Sequence, residues 1–312
     1  MRALVLTSFD GPAATELAEV PDPLANANSA VVTVQAAGVG TWDVQTTQGA
    51  FAGAGGMTTF PQVLGWDFTG VVTAIGPDVR AVQVGDAVLG FSPQPWTKAG
   101  AFAEAIAAPA AGLARRPDDL PIEQAAVLPV SSLTADLALR AARLGNAGSV
   151  LVLGAAGGVG RLVVQLARAD GATVLASVSN AQASIVNDYG ASLVVDRDRP
   201  VADQVLARHG PVDAVIDLVG PAARTGIAAA VRDGGQFVTT VPYGENPDER
   251  GIGVTTVQVM PDGPRLTQLA QLATAGQLHA TAATIVPFAD APTALAKVQS
   301  GTVSGKVVLD LR

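Results

Sequence analysis

Val150-Leu151-Val152-Leu153 runs without a break into Gly154-Ala155-Ala156-Gly157-Gly158-Val159-Gly160, and that loop leads straight into Arg161-Leu162-Val163-Val164-Gln165-Leu166-Ala167. Four consecutive apolar residues read as a buried strand, and Leu162, Val163, Leu166 and Ala167 form one stripe of a helix. In such a turn Gly157 lets the backbone approach a pyrophosphate and Gly160 lets the helix pack close on the sheet. The helix N-terminus adds free N–H groups and a positive dipole. Ala155 stands at the first glycine position of the G-x-G-x-x-G pattern. The plainer reading is a tight strand-to-helix turn; a second strand following in register favours a dinucleotide site.

Downstream of the loop, apolar runs alternate with helical stretches. Strands are expected at 173–176, 192–195, 214–218, 236–241 and 254–259, and helices at 161–169 and 181–189. Near-continuous apolar strands alternating with helices imply a doubly wound parallel sheet covered on both faces, a Rossmann-type α/β domain. Upstream, residues 1 to about 118 are rich in Gly, Pro and Thr, with short Val-rich runs at 30–34 and 70–75, as in a compact β-rich domain. Near Pro121 the texture turns to Ala/Leu-rich helices at 122–128 and 131–143. After a helix at 266–275, a closing strand at 306–310 is free to return to the first domain. The expected division is 1–120 with 263–312 for the β-rich domain, and 121–262 for the inserted Rossmann domain.

The chain has 312 residues, 49% apolar, 15% charged and 4% aromatic, with a net charge of -8. A single core stops growing efficiently at about 250–300 residues, so two domains are expected, packed mainly with Ala, Val and Leu. The acidic balance argues against a nucleic-acid partner. Cysteine is absent, which excludes disulfides, iron–sulfur ligation, a thiol nucleophile and a Cys-based zinc site. His209 and His279 lie far apart in sequence and have no supporting ligand spacing, so no metal is expected. No window reaches the roughly 18 apolar residues of a membrane span, and Met1 to Leu6 lack the pattern of a secretion signal; no membrane and a cytoplasmic location are the expectations.

In an NAD site an acid about 20 residues beyond the loop holds the ribose 2'-hydroxyl and repels a 2'-phosphate. Here that strand ends Leu175-Ala176-Ser177-Val178-Ser179-Asn180, with Ser177 at the acid's place, which favours NADP. Arg197 is the candidate cation for the 2'-phosphate. A surface arginine paired with Asp196 or Asp198 is the alternative.

Taken with this loop, several further stretches resemble the medium-chain dehydrogenase/reductase superfamily, and within it the zinc-independent, zeta-crystallin-like quinone oxidoreductases. They are Val34 to Val39 followed by Asp43 and Gly49; Gly65 to Gly70 with Val79 to Val88; Gly100 to Glu104; Ala125-Ala126 to Ala138-Leu139; Val212 to Gly220; and Gly305 to Leu309. The resemblance implies a GroES-like catalytic domain split across both chain ends, a Rossmann domain between, a substrate cleft between them, and a homodimer. It implies reduction of a small quinone or conjugated carbonyl by NADPH. Carried over residue by residue, the cofactor contacts are Ser131 and Thr134; Gly154 and Ala156, Gly157, Gly158, Val159 and Gly160; Ser177 and Ser179; Val219 and Gly220; and Val241 with Tyr243. Gly40 stands where those reductases usually carry Asn, and Gln182 lies near the place of their 2'-phosphate lysine.

Conjugated acceptors need no Lewis acid, since charge delocalises to a distal oxygen and the enzyme mainly positions the reactants. Tyr243 is a candidate proton donor or a packing residue. Asp43, and Asp67 with it, is a candidate for chemistry or for capping a turn. Gly40, Trp42, Trp66 and Trp96 are expected to line the substrate cleft, where the rings could stack on a flat acceptor or serve the core. An enoyl reductase or tailoring enzyme of polyketide-like metabolism would share these motifs, as would an NADPH-binding sensor or scaffold without catalysis.

Overall fold

The computed structural model describes residues 1–53, 59–145, 147–223, 225–241, 250–303 and 305–312. They form two compact units, Met1–Leu133 with Met260–Arg312, and Thr134–Val259. The first break falls later than the expected 120/121. The reason is that Ile122–Val127 buries Ala125, Ala126 and Val127 and packs on strands of the first unit.

In chain order the first unit begins with β1 (Arg2–Leu6), β2 (Thr15–Glu19), β3 (Ser29–Val39), α1 (Thr41–Thr47), β4 (Gln62–Val63), β5 (Asp67–Ile75) and β6 (Ala87–Phe91). It continues through α2 (Gln94–Thr97), β7 (Ala105–Pro109), β8 (Ala114–Arg115), α3 (Ile122–Val127) and the start of α4 (Pro129–Ala142). The second unit holds β9 (Ser149–Leu153), α5 (Gly158–Ala169), β10 (Thr173–Val178), α6 (Ala183–Asp188), β11 (Leu193–Asp196), α7 (Val201–Arg208), β12 (Val212–Asp217), β13 (Val231–Thr239) and β14 (Gly253–Thr256). The chain then returns to the first unit with α8 (Gly263–Thr274), β15 (Ala282–Pro287), α9 (Ala291–Gln299) and β16 (Lys306–Asp310).

In the second unit the described strands form one parallel sheet in the order β11-β10-β9-β12-β13-β14. This is the doubly wound order, with its reversal beside β9. Register sets Ser177 and Asp217 on either side of Leu153, and Thr239 beyond Asp217. One row of residues therefore crosses the carboxyl edge of the sheet where the glycine loop begins. The core beneath includes Leu151, Leu175, Val195, Val215 and Phe237.

The first unit is built on a sheet whose path runs β15-β16-β3-β5-β6-β8, with β7 also paired to β3. The closing strand β16 does return, pairing antiparallel with β3 through Val307 opposite Val39. Because β5 pairs with the other side of β3, Gly38 faces Asp67. The end of β3 and the first residues of β5 and β16 thus meet at one end of the sheet. Phe68, Phe102, Val32, Leu64 and Val307 fill the core below them.

Candidate active site

At the sheet end of the second unit, Gly154 leaves β9 with a φ of +78°, a conformation glycine adopts without strain. The helix α5 begins at Gly158 with no side chain capping it, so its first turn keeps N–H groups for an anion. A Cβ at Gly160 would lie 2.2 Å from the Gly154 carbonyl oxygen and 2.7 Å from Ala155 Cα. Any larger residue there would push the helix off the loop. The loop is therefore a cradle closed by backbone, and it fits a dinucleotide pyrophosphate.

Three residues that sequence reasoning missed hold this edge in shape. Arg161 is buried and donates from Nε to the Ala156 carbonyl at 2.7 Å, setting a cation behind the loop. Asp217, fully buried, accepts the N–H groups of Val219 at 2.9 Å and Gly220 at 3.0 Å. Thr239 Oγ1 donates to the Val241 carbonyl at 2.8 Å and accepts the Val241 N–H at 3.0 Å. A Cβ on Gly154 would lie 2.9 Å from Val219 Cγ2, so the loops after β9 and β12 touch. Val219 is exposed and Gly220 buried. Tyr243 lies outside the described residues.

Ser177 is buried in β10, and Ser179 Oγ bonds Gln182 Oε1 at 3.1 Å. From Ser177 to Asn180 the strand end carries no acid; Asp196, on the neighbouring strand β11, accepts from Asn180 Nδ2 at 3.2 Å. Arg197 is brought beside this strand end by its N–H bond to the Val178 carbonyl at 2.9 Å. Its exposed guanidinium makes a loose pair with Asp198 at 3.6 Å, an interaction worth about 0–1 kcal/mol. Ser131 and Thr134 are both buried on α4, and Ser131 Oγ has no hydrogen-bond partner.

In the first unit, Gly40, Trp42, Asp43, Trp66 and Trp96 belong to one neighbourhood. Asp43 is fully buried and its Oδ2 accepts the Gly40 N–H at 2.7 Å, which caps the start of α1. Asp67, also fully buried, accepts the Val130 N–H at 2.7 Å on Oδ1 and pairs through Oδ2 with Lys306 Nζ. Burial pushes the Asp43 carboxyl up to about 8; the Gly40 N–H and the Lys306 ammonium pull it down, and the Asp67 carboxylate adds to the rise. Burial raises Asp67 as well, opposed by Lys306 and the Val130 N–H. The structure thus gives both acids turn- and charge-fixing contacts, with Asp43 closed off from the surface.

Lys306 Nζ lies 4.2 Å from the Trp42 ring centroid, a cation–π contact. The Trp42 ring also covers Gly40: a Cβ there would lie 2.4 Å from Cε2 and 2.5 Å from Cζ2. From Trp42 the rings continue to Trp66 at 6.5 Å, and Trp66 meets Trp96 at 6.0 Å, Phe51 at 5.7 Å and Phe91 at 6.3 Å between centroids. The donor set does not suit a catalytic zinc. The chain has no cysteine, the two buried carboxylates already face an ammonium, and no group of three metal-ligating side chains occurs among the described residues.

Two family models match: an alcohol dehydrogenase GroES-like domain over residues 26–118 and a zinc-binding dehydrogenase domain over residues 189–309. The human mitochondrial NAD(P)H oxidoreductase RTN4IP1 is 30% identical over 328 residues, covering 91% of this chain and 82% of the relative. A mycocerosic acid synthase-like polyketide synthase of Mycobacterium tuberculosis is 32% identical over 90% of this chain, which spans only 14% of that protein. Among solved structures, the quinone oxidoreductase from Coxiella burnetii superposes with a TM-score of 0.90 at 29% identity, covering 100% of this chain and 99% of that one. The chain belongs to the medium-chain dehydrogenase/reductase superfamily, in its zinc-independent, quinone oxidoreductase-like branch. It is an oxidoreductase of that family, and a nicotinamide dinucleotide is its cofactor class.

Proposed function

We propose that the protein is an NADPH-dependent, zinc-free reductase that transfers hydride to a quinone or a similar conjugated carbonyl acceptor. The observation that carries the reading is the carboxyl edge of the parallel sheet, where a backbone-closed glycine cradle stands beside a strand end without an acid. The bound dinucleotide supplies hydride from its nicotinamide ring. Gly157 to Gly160 and the first turn of α5 hold the pyrophosphate, with Arg161 fixing the loop from behind. Ser177 and Ser179 take the ribose, and Arg197 exchanges its loose pair with Asp198 for the 2'-phosphate. Asp217 and Thr239 fix the backbone of Val219, Gly220 and Val241 for the nicotinamide half. The acceptor takes up hydride and a proton, and the aromatic cluster of the first unit supplies a flat apolar surface for it. The free edge of β14 among the described strands supports a homodimer joined edge to edge.

The polyketide synthase match favours a second reading, reduction of an enoyl intermediate. NADPH consumption is to be measured with purified protein against quinones, free enones and enoyl thioesters. Turnover of quinones bears out the first reading, and turnover confined to enoyl thioesters the second. NADPH binding without consumption in any series overturns both and leaves a sensor or scaffold.

A further inference from the structure

Inside the aromatic cluster, Trp42 Nε1, Trp66 Nε1 and both polar atoms of the Gln94 amide are buried and make no hydrogen bond. Trp66 is only 6% exposed and Gln94 0%, so bulk solvent does not reach them. A buried polar group left unpaired costs about 1–3 kcal/mol, so a cluster of them marks a place where a water, an ion or a ligand pairs with them. The neighbouring hydroxyls are satisfied: Ser92 Oγ and Thr97 Oγ1 pair at 2.7 Å.

These groups stand on one connected framework. The Trp66 carbonyl accepts the Ser92 N–H at 3.0 Å, and the Ser92 carbonyl accepts the Gln94 N–H at 2.7 Å. Trp42 is joined to Trp66 by ring contact. An indole N–H only donates, so a partner for the two indoles must bring acceptor atoms, while the Gln94 amide can both donate and accept. The rings around it call for a flat apolar body. Trp42 is half-buried, and its ring packs against Gly40, the Lys306 ammonium and Trp66.

We propose that Trp42 and Trp66 are specificity-determining residues. Their indole N–H groups select a flat conjugated ring bearing carbonyl oxygens over an acyclic enone or a plain aromatic hydrocarbon. The inference rests on taking the aromatic cluster as the acceptor site of the proposed reductase. Tryptophan in place of phenylalanine supplies the one feature the rings need for this choice, a donor at the edge of an apolar surface.

The test is equilibrium binding to the full chain without NADPH, with 1,4-naphthoquinone as probe and naphthalene and an acyclic enone as controls. All three tryptophans lie in the cluster, so their emission reports on this site alone. The absence of cysteine prevents thiol addition to the quinone. Trp42→Phe and Trp66→Phe keep a ring and remove the donor. Each is expected to weaken naphthoquinone binding about 5- to 10-fold, the worth of one hydrogen bond, while naphthalene binding stays as in the parent and so reports an intact site. Unchanged naphthoquinone affinity in both variants overturns the proposal, as does an equal loss for naphthalene or a parent affinity for naphthalene as high as for the quinone. Donor-dependent quinone binding in a protein that never consumes NADPH would overturn the reductase reading and leave this selection standing.

Discussion

Replacing Gly40 with alanine drives a methyl group into the indole of Trp42. The new carbon would lie 2.4, 2.5 and 2.8 Å from Cε2, Cζ2 and Cδ2, well inside the roughly 3.5–4.0 Å of ordinary carbon contact. Gly40 has φ -116° and ψ 174°, extended values open to any residue, so the cost is steric. The backbone is pinned by the Gly40 N–H to Asp43 bond, and the ring has to move. Overpacking costs about 1–3 kcal/mol, part of it the lost Lys306 contact, worth about 0.5–2 kcal/mol. Gly40→Ala should therefore lose about 2 kcal/mol, or about 4–8 °C in Tm for a unit of this size. Trp42→Ala should lose about 2–3 kcal/mol, because the side chain is only half-buried. With the ring gone the methyl group has room, so adding Gly40→Ala to Trp42→Ala should cost nothing further. The four proteins of this cycle are compared by thermal and urea unfolding followed by circular dichroism. A coupling of about 2 kcal/mol is expected, and additivity within about 0.5 kcal/mol would refute the reasoning.

Arg197→Ala should raise the KM for NADPH about tenfold, the worth of one charge-assisted bond, and leave that for NADH within about twofold; steady-state kinetics with both cofactors check this, and equal changes would remove Arg197 from the 2'-phosphate site. Asp43 predicts a pH dependence of folding. Its carboxyl rises from 3.8 to about 8 in the folded protein, so between those values the folded state holds a proton that the unfolded chain has released. Stability must fall as the pH rises through that window and level off above it. Asp43→Asn keeps an acceptor for the Gly40 N–H and cannot titrate, so its urea midpoint should change less between about pH 5 and pH 8 and exceed the parent's at the upper end. Asp67 is the same in both proteins, and an identical slope would show that Asp43 does not hold this proton.

The strands of the second unit were legible in order because they are written in local periodicity, whereas the helix Val201–Arg208 between two of them and the short helices α1 and α2 of the first unit were not expected. Buried parallel strands such as Val150 to Leu153 have no polar alternation, and their bounds follow from where that pattern stops. The glycine loop was legible for a related reason, since strand, loop and helix are contiguous. The expected boundary at 120/121 came from a change in texture at Pro121. Residues 122–127 are helical as expected, but their apolar face belongs to the first unit, and periodicity does not say which sheet a helix covers. Arg161 and Asp217 were illegible as site residues for the same reason. An arginine in the first turn of a helix reads as surface, and an acid at a strand end reads as a cap, until the fold buries both against backbone.

Gly40 is the residue whose meaning changed most. Set against the Asn usual in related reductases, it reads as a lost amide and a sign of weakened chemistry. In the structure the space beside Gly40 is taken by the Trp42 ring, which also meets the ammonium of Lys306 and the ring of Trp66. The position has exchanged a short polar side chain for a large ring that brings its own donor. The same sheet end shows how a positive charge is kept there by the chain itself. Lys306 starts β16 and Asp67 starts β5, on either side of β3, so the ion pair forms only when the last strand of the chain has returned to the first unit. The buried Asp67 carboxylate thus takes its cation from a lysine of the last strand, and that lysine also packs on the ring that fills the space beside position 40. Gly40 and the ring of Trp42 thus form one packing unit, since a side chain at position 40 would take the space the ring fills.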